Sequence, residues 1–496
     1  MKTIYITLLI SGILLTLGCE EVLEPEPRGQ IELDQLLTTE EGFVSVLNGA
    51  YEPLASGGIY DGLFWRNAEL ASDDGWTWRN EQDPALYRIA PTSELIFPLW
   101  SQHYLGIART NVILTRLEGI EFNNSELEGA IEGQAKFLRA LYYFNLVRLF
   151  GGVPLLTTEV TSREESEAPR TDIASVYGQI KTDLTDAINL LPTAYGGGSG
   201  FEKGRATTYT ALALRAMVHL ELEEWNEAAQ DAQQIIDSDQ FELYANFANN
   251  FYGLSENGAE SLFEVQFGGV GGGTNAGHST SLAPPAVANG AAFILPTDND
   301  NDFGISSTGG GIVQAFEEGD LREEITLANY GLDNFLDPTK PAGSLFYVNK
   351  YFAGDQFPPN QSPYNFPVIR YAEVLLIAAE ALNELGTDNA SAINYLNMVR
   401  NRAGLTDVDG AISGNQDALR EEIRKQRRLE LAFEGKRYFD LNRWGILENN
   451  LAVQGVTVPS QNLISHPITG KPYFLYPLPA TEFINNANLG DQNPGY

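Results

Sequence analysis

Residues 369–405 read IRYAEVLLIAAEALNELGTDNASAINYLNMVRNRAGL. Val374, Ile377, Ala378, Ala381, Leu382 and Leu385 recur at the i, i+3, i+4 spacing of one helix face. Gly386 ends that helix, where a residue free to take positive φ is wanted. Thr387, Asp388 and Asn389 are N-cap types for a second helix, which buries Ile393, Leu396 and Val399. Arg400 and Arg402 fall in its last turn, where cations suit the helix dipole. The stretch predicts a helix hairpin.

The same pattern recurs along the chain. Thr38–Leu54 predicts a first helix, with Phe43, Val46, Leu47 and Ala50 inward. Helical spacing resumes at Phe97, and a capping box at Ser125–Glu128 opens a long helix that Gly151, Gly152 and Pro154 stop. Asp172–Leu191, Thr207–Leu222 and Glu227–Ile236 follow, and a charged helix spans Asp417–Glu434. Between Gly253 and Asn365 the helical period lapses. Ser261–Phe267 alternates like a strand, and Phe346–Phe352 reads as a second one. A connection this long inside a compact fold points to function. The tail from Gly435 reads as mostly irregular.

The chain has 496 residues and 43% hydrophobic content, ample for a core. Its 66 acidic and 31 basic residues leave a net charge of −35. That excludes nucleic acid, whose recognition needs a basic footprint. The acidity, with arginine in excess of lysine, suits a soluble surface in a salty, marine medium and a neutral ligand such as a β-glucan. An anionic polysaccharide would need a local arginine patch.

Residues 1–18 read as a signal peptide: Lys2 is a minimal basic region and Ile4–Leu17 an apolar run too short to span a bilayer. Cys19, the single cysteine, lies where a lipoprotein is acylated. Thr16-Leu17-Gly18-Cys19 resembles a lipobox, with Thr16 where leucine is commoner. Residues 19–36 read as a lipidated tether, and 37–496 as the folded domain.

The segment Ile59–Ile89 stands apart. It lacks helical period and is dense in Gly, Asp, Asn and aromatics, with Trp65, Trp76 and Trp78 among the chain's 6 tryptophans. Sugars present flat C–H faces and rims of hydroxyls. Aromatic planes match the former, and fixed polar groups match the latter. Trp65, Asp73, Asp74, Trp76, Trp78, Arg79 and Asn80 are therefore candidate glycan contacts, joined by Asn275, His278 and Phe293 from the long loop. Each tryptophan has the alternative of filling a small core beneath the loop. Trp76 and Trp78 sit two apart, so an extended backbone sends them to opposite faces.

Asp298, Asp300 and Asp302 form an oxygen-rich run that invites calcium, but the glycine spacing and Gly309 at the twelfth position fail the EF-hand pattern, and a solvated turn is the competing reading. No metal or cofactor is otherwise expected, since the 4 histidines show no ligand spacing. Arg427, Arg428, Glu430, Glu434, Arg437, Asp440 and Arg443 read as an internal ion-pair network, with too much arginine for a catalytic carboxylate.

Several short stretches resemble one family in their order. They are Leu47-Asn-Gly-Ala-Tyr51, Gly133-Gln-Ala-Lys-Phe-Leu-Arg-Ala140, Leu149-Phe-Gly-Gly-Val-Pro154, Gly204-Arg205-Ala-Thr207 and Asp320-Leu-Arg322. Further on come Arg370-Tyr-Ala-Glu373, Asn397-Met-Val-Arg-Asn-Arg-Ala-Gly404, Arg427-Arg-Leu-Glu-Leu-Ala-Phe-Glu-Gly435 and Gln492-Asn-Pro-Gly-Tyr496. The chain resembles the SusD/RagB family of glycan-binding outer-membrane lipoproteins, departing from it at Gln426, where the family has Glu. The resemblance implies a mostly α fold: a right-handed superhelix of four tetratricopeptide-like hairpins (97–150, 172–222, 227–237 with 369–386, 388–435). A loop-rich, strand-bearing subdomain (55–95 and 253–365) would pack on it. It also implies a cell-surface protein, lipid-anchored in the outer membrane. Such a protein captures oligo- or polysaccharide for a SusC-like TonB-dependent transporter without cleaving it. Two other classes stay open. A glycoside hydrolase would need a carboxylate pair, for which Asp73 or Asp74 with Asp298 is the available choice. A peptide-binding helical adaptor would have no use for the tryptophan-dense loop.

Overall fold

The computed structural model describes residues 33–77, 82–196, 201, 203–268, 293–294, 311–329, 331, 333, 339, 341–351 and 363–496. Cys19 and the leader lie outside them. Leu33–Leu36, inside the expected tether, already forms a helical turn.

The fold is mostly α. In chain order the main helices are α1 (Glu40–Tyr51), α2 (Leu63–Leu70), α3 (Phe97–Leu117) and α4 (Ser125–Phe150). Then come α5 (Ile173–Leu190), α6 (Thr208–Glu221) and α7 (Trp225–Ile236). The C-terminal part has α8 (Tyr371–Leu385), α9 (Asn389–Arg402), α10 (Gln416–Glu430) and α11 (Arg437–Arg443). Helices α3 to α7 pack each on the next; α7 then meets α8, which also packs on α9 and α10. No helix of the described residues is long and apolar enough to cross a membrane.

The hairpin of residues 369–405 forms as its sequence predicts. Gly386 adopts φ 63° at the end of α8, and the Asp388 side chain accepts from the Ser391 N–H to cap α9. Asp172 and Thr207 cap α5 and α6 in the same way. The long helix α4 is capped one residue earlier than expected, by Asn124, whose side chain accepts from the N–H groups of Glu126 and Leu127. Three other features depart from the sequence reading. Residues 63–70 are helical despite their irregular pattern. Helix α10 stops at Glu430, four residues short, where Phe433 (φ 62°) and Gly435 (φ 72°) turn the chain. The tail holds α11, a helix at Leu447–Val453 and a hairpin pairing Leu463–Ser465 with Pro472–Phe474.

Helix α8 is buried on nearly every side from Tyr371 to Ala381, so Glu373 and Glu380 lie inside the protein. Each has a cation: Lys436 Nζ donates to Glu373 at 2.8 Å, and Arg443 grips both oxygens of Glu380 at 2.6 and 2.7 Å. A denser cluster sits at the start of α8. Arg370, 2% exposed, donates to Glu260 (2.8 Å), Glu430 (3.0 Å) and Glu434 (2.9 and 2.6 Å). Arg402 reaches Glu260 and Glu430, Arg322 reaches Asp320 and Glu430, and Lys350 reaches Glu434. Gln426 accepts from Arg322 at 2.7 Å and donates to Glu422 at 2.9 Å, so the family's acid is replaced by an amide that bonds in both directions. The expected internal ion-pair network is thus present. Burial would raise the Glu430 and Glu434 carboxyls, but the surrounding arginines and Lys350 outweigh it and hold both below the usual range. Burial is likewise overcome at Asp440, which Arg427 and Arg443 hold at about 2.

Glu69 on α2 has the opposite fate. It is fully buried; one oxygen accepts from the Gly435 N–H at 2.6 Å and the other has no partner. Burial and the neighbouring Asp74 push its carboxyl up to about 8.

Two expectations follow. Arg370→Ala leaves three buried carboxylates without their shared cation and costs about 3–5 kcal/mol at pH 7, read from denaturant midpoints. Glu69 is raised in the folded state, so its contribution is complete below the ordinary carboxylate value and is lost as pH rises towards about 8. Gln at this position mimics the protonated acid. The stability of Glu69→Gln relative to the parent should therefore shift in its favour by on the order of 3 kcal/mol between pH 5 and pH 8.5. A difference flat across that range would show that Glu69 does not titrate there.

Candidate functional site

The segment after α2 turns sharply. Ser72 Oγ donates to the Glu69 carbonyl at 2.7 Å and accepts from the Asp74 N–H at 3.1 Å. The chain then enters strand β1 (Trp76–Thr77). The other strands of this region are β2 (Ser261–Val265), β3 (Phe293–Ile294), β4 (Leu327–Ala328), β5 (Tyr347–Val348) and β6 (Phe366–Arg370). β2 pairs antiparallel with β6, and a separate sheet runs β1-β3-β5-β4. In that sheet Trp76 pairs with Ile294, Thr77 with Phe293, and Ile294 with Tyr347. The aromatic segment and the long loop, over two hundred residues apart in sequence, are therefore hydrogen-bonded neighbours.

Four of the predicted glycan contacts are not available to a ligand. Trp65 has no exposed surface and stacks on Phe366, with ring centroids 6.1 Å apart and planes at 29°. The Gly435 backbone presses on it so closely that a Cβ there would lie 3.0 Å from the Trp65 Cβ. Asp73 is 3% exposed and held by both arms of Arg437 at 2.7 and 2.8 Å, with Asn450 at 3.2 Å. Asp74 is fully buried and takes the Arg428 guanidinium at 2.7 Å. Trp76 is 4% exposed. The core reading holds for both tryptophans, and the two aspartates are anchors that pin the turn to α10 and α11. Burial would raise Asp73, but Arg428 and Arg437 outweigh it and keep it well below the usual range. A carboxylate so placed has neither the proton nor the access a glycosidase acid needs, which removes Asp73 from the hydrolase pairing; burial removes Asp74.

Trp78, Arg79, Asn80, Asn275 and His278 lie outside the described residues, as do the Phe293 side chain and Asp298, Asp300 and Asp302. Among the described residues no cluster of His, Cys, Asp and Glu is arranged to hold a metal. The chain leaves β1 towards Trp78 at the position where Thr77 pairs with Phe293, so the backbone brings the start of one candidate segment beside the long loop.

Sequence reading assigned no site to residues 203–205. Two clefts of about 300 and 340 Å³ flank this turn, and both are lined by Lys203, Gly204 and Arg205. The signal was present in Gly204-Arg205-Ala-Thr207, which was used only as a family marker.

Residues 260–496 match the family described as the SusD family, and residues 29–220 match one described as starch-binding associating with outer membrane. SusD-like protein P2 of Formosa agariphila is 27% identical over the full length of both chains. A SusD superfamily protein of Bacteroides vulgatus has a TM-score of 0.77 at 24% identity, covering 93% of this chain and 100% of its own. A laminarin-binding SusD-like protein has a TM-score of 0.73 at 25% identity, covering 92% of this chain and 100% of its own. With both halves matched and the same helical fold throughout, this chain belongs to the SusD/RagB family.

Proposed function

We propose that the protein is a non-catalytic carbohydrate receptor of the outer-membrane surface, anchored through a lipid at Cys19, that passes bound glycan to a SusC-like TonB-dependent transporter. The observation that carries this reading is the antiparallel pairing of β1 with β3, in which Thr77 lies opposite Phe293. The polar and aromatic residues that follow Thr77 and surround Phe293 in the sequence are of the types a sugar chain needs, flat apolar faces and hydroxyl partners together. Trp78, Arg79 and Asn80, with Asn275, His278 and Phe293, are the proposed contacts. The family description as starch-binding and the laminarin-binding relative support carbohydrate as the ligand class. A neutral β-glucan is the first candidate, in keeping with the net charge of −35. Asp73 and Asp74 are buried and paired with arginines, which supports binding without hydrolysis.

Affinity electrophoresis against neutral and anionic polysaccharides, run beside a reducing-sugar assay, tests this. The intact protein should be retarded by a neutral glucan and release no reducing sugar. Trp78→Ala should weaken retardation about tenfold while leaving the melting temperature unchanged. Trp76→Ala should instead lower the melting temperature. Sugar release, or retardation indifferent to Trp78→Ala together with Arg79→Ala and Asn80→Ala, would overturn the assignment.

A further inference from the structure

The turn at residues 203–205 is separate from the β1–β3 sheet. It is bounded by the C-terminal end of α1, the start of α6 and strand β2. Arg205 lies with its guanidinium 4.8 Å from the Tyr51 ring centre and 5.2 Å from that of Phe201. Tyr51 is itself pinned through its hydroxyl, which donates to Gln134 at 3.0 Å and accepts from the Ala206 N–H at 3.2 Å. One arm of Arg205 donates to Asn48, while Nη1, itself shielded from solvent, has no acceptor among the described residues. Among the described residues neither Arg205 nor the exposed Lys203 has an ion-pair partner. Both are cations in a chain where acids outnumber bases by 66 to 31. A half-buried guanidinium held in place by two rings, with no carboxylate partner and beside an exposed ammonium, supplies the charge a carboxylate seeks.

Among the described residues of the clefts, neither carboxylate cancels this charge. Glu52 is engaged by Arg109. Glu264 accepts from Asn365 and the Asn257 N–H, and burial pushes its carboxyl above the ordinary range. Gly204, at φ +91°, lets the backbone lie against Gln266; a Cβ would stand 2.8 Å from the amide. The exposed Gln266 pairs with Asn257 through two amide bonds of 2.8 and 2.9 Å and is further held by the Glu264 carbonyl and Asn365, so the amide edge left on the rim is that of Asn257. Tyr195 and Phe241 add aromatic surface to the second cleft. Cations, amides and rings together fit a sugar that bears a carboxylate better than a bare anion.

We infer that the paired clefts around Lys203 and Arg205 form a second binding site, for an acidic saccharide whose uronate carboxylate is held by these two cations. The inference rests on the carbohydrate reading above but not on the loop that serves it. It supplies the local basic patch that an anionic glycan requires against a strongly acidic protein.

Calorimetric titration of the intact protein with a glucuronate-containing trisaccharide, with its all-glucose counterpart and with acetate tests the site. The acidic trisaccharide should bind more tightly than either of the others, with affinity falling as salt is raised. Arg205→Gln should weaken it about tenfold. Lys203→Ala, at an exposed position where folding is not at stake, should weaken it several-fold and flatten the salt dependence; it decides the matter if Arg205→Gln fails to fold. Trp78→Ala separates the two sites: it loses retardation by neutral glucan and keeps the acidic trisaccharide. Equal binding of the acidic and neutral sugars, acetate binding as tightly as the trisaccharide, no acidic binding at all, or an acidic affinity indifferent to Lys203→Ala would overturn the second site. None of these results bears on the loop site, which neutral-glycan retardation decides.

Discussion

Arg370 is the point on which the architecture turns. Its guanidinium joins Glu260 at the edge of β2, Glu430 at the end of α10 and Glu434 beyond it, and Arg402, Arg322 and Lys350 complete the cluster. These residues come from parts of the chain far apart in sequence, so the cluster ties the stacked helices to the strand-bearing region. Desolvating so many charges is expensive. Their mutual attraction repays the cost only while every partner is present and well placed, so the cluster enforces one arrangement more than it adds stability. That arrangement reaches the candidate site. The end of α10 fixes Arg428, and the turn after it leads to Arg437; these two hold Asp74 and Asp73, which set the entry to β1. The entry to β1 is thus maintained by buried charges.

Glu69 and Asp73 show how burial alone decides little about a carboxyl. Both are almost without solvent contact and both belong to the same turn. Asp73 meets two guanidinium groups and stays ionised. Glu69 has a single backbone N–H and the charge of Asp74 nearby, and its proton is retained to about pH 8. A hydrolytic acid would need the proton of the one and the exposure of neither. Asp73 and Asp74 therefore serve as anchors of the segment.

Helix ends were the most legible feature of the sequence because their chemistry is local. Gly386, Asp388, Asp172 and Thr207 each act within a turn of where they stand. The ion network was legible in outline, since an alternation of Arg and Glu on one helix has few other uses, but its partners Glu260, Arg322 and Lys350 come from distant segments that only the fold assembles. Helix α2 was hidden because its aromatic and polar residues serve two different contacts. Trp65 faces Phe366, while Glu69 faces Gly435, and neither follows a simple apolar stripe. The same density of Trp and Asp that suggested sugar contacts is what a turn buried against two arginine-bearing helices requires. Composition cannot separate these uses, because an indole over a sugar and an indole in a core are the same residue in different surroundings.

Charge gives a further way to read the surface. With a net charge of −35, every cation is offered several acids, and most of the buried arginines are taken up in this way. A cation left without a carboxylate in such a protein is informative, because packing and self-repulsion both favour pairing it. Arg148 is one such case, but it is enclosed between the rings of Phe144 and Phe439 and bonded to Asn145, so its isolation is structural. Arg205 differs in lining a cleft beside Lys203. The distinction lies in what surrounds the charge. A cation sealed among rings and amides completes the fold, whereas one held beside an accessible cleft is a recognition element. On that criterion the acidic surface and the basic turn have complementary roles, the one excluding anions in general and the other admitting them beside Lys203 and Arg205.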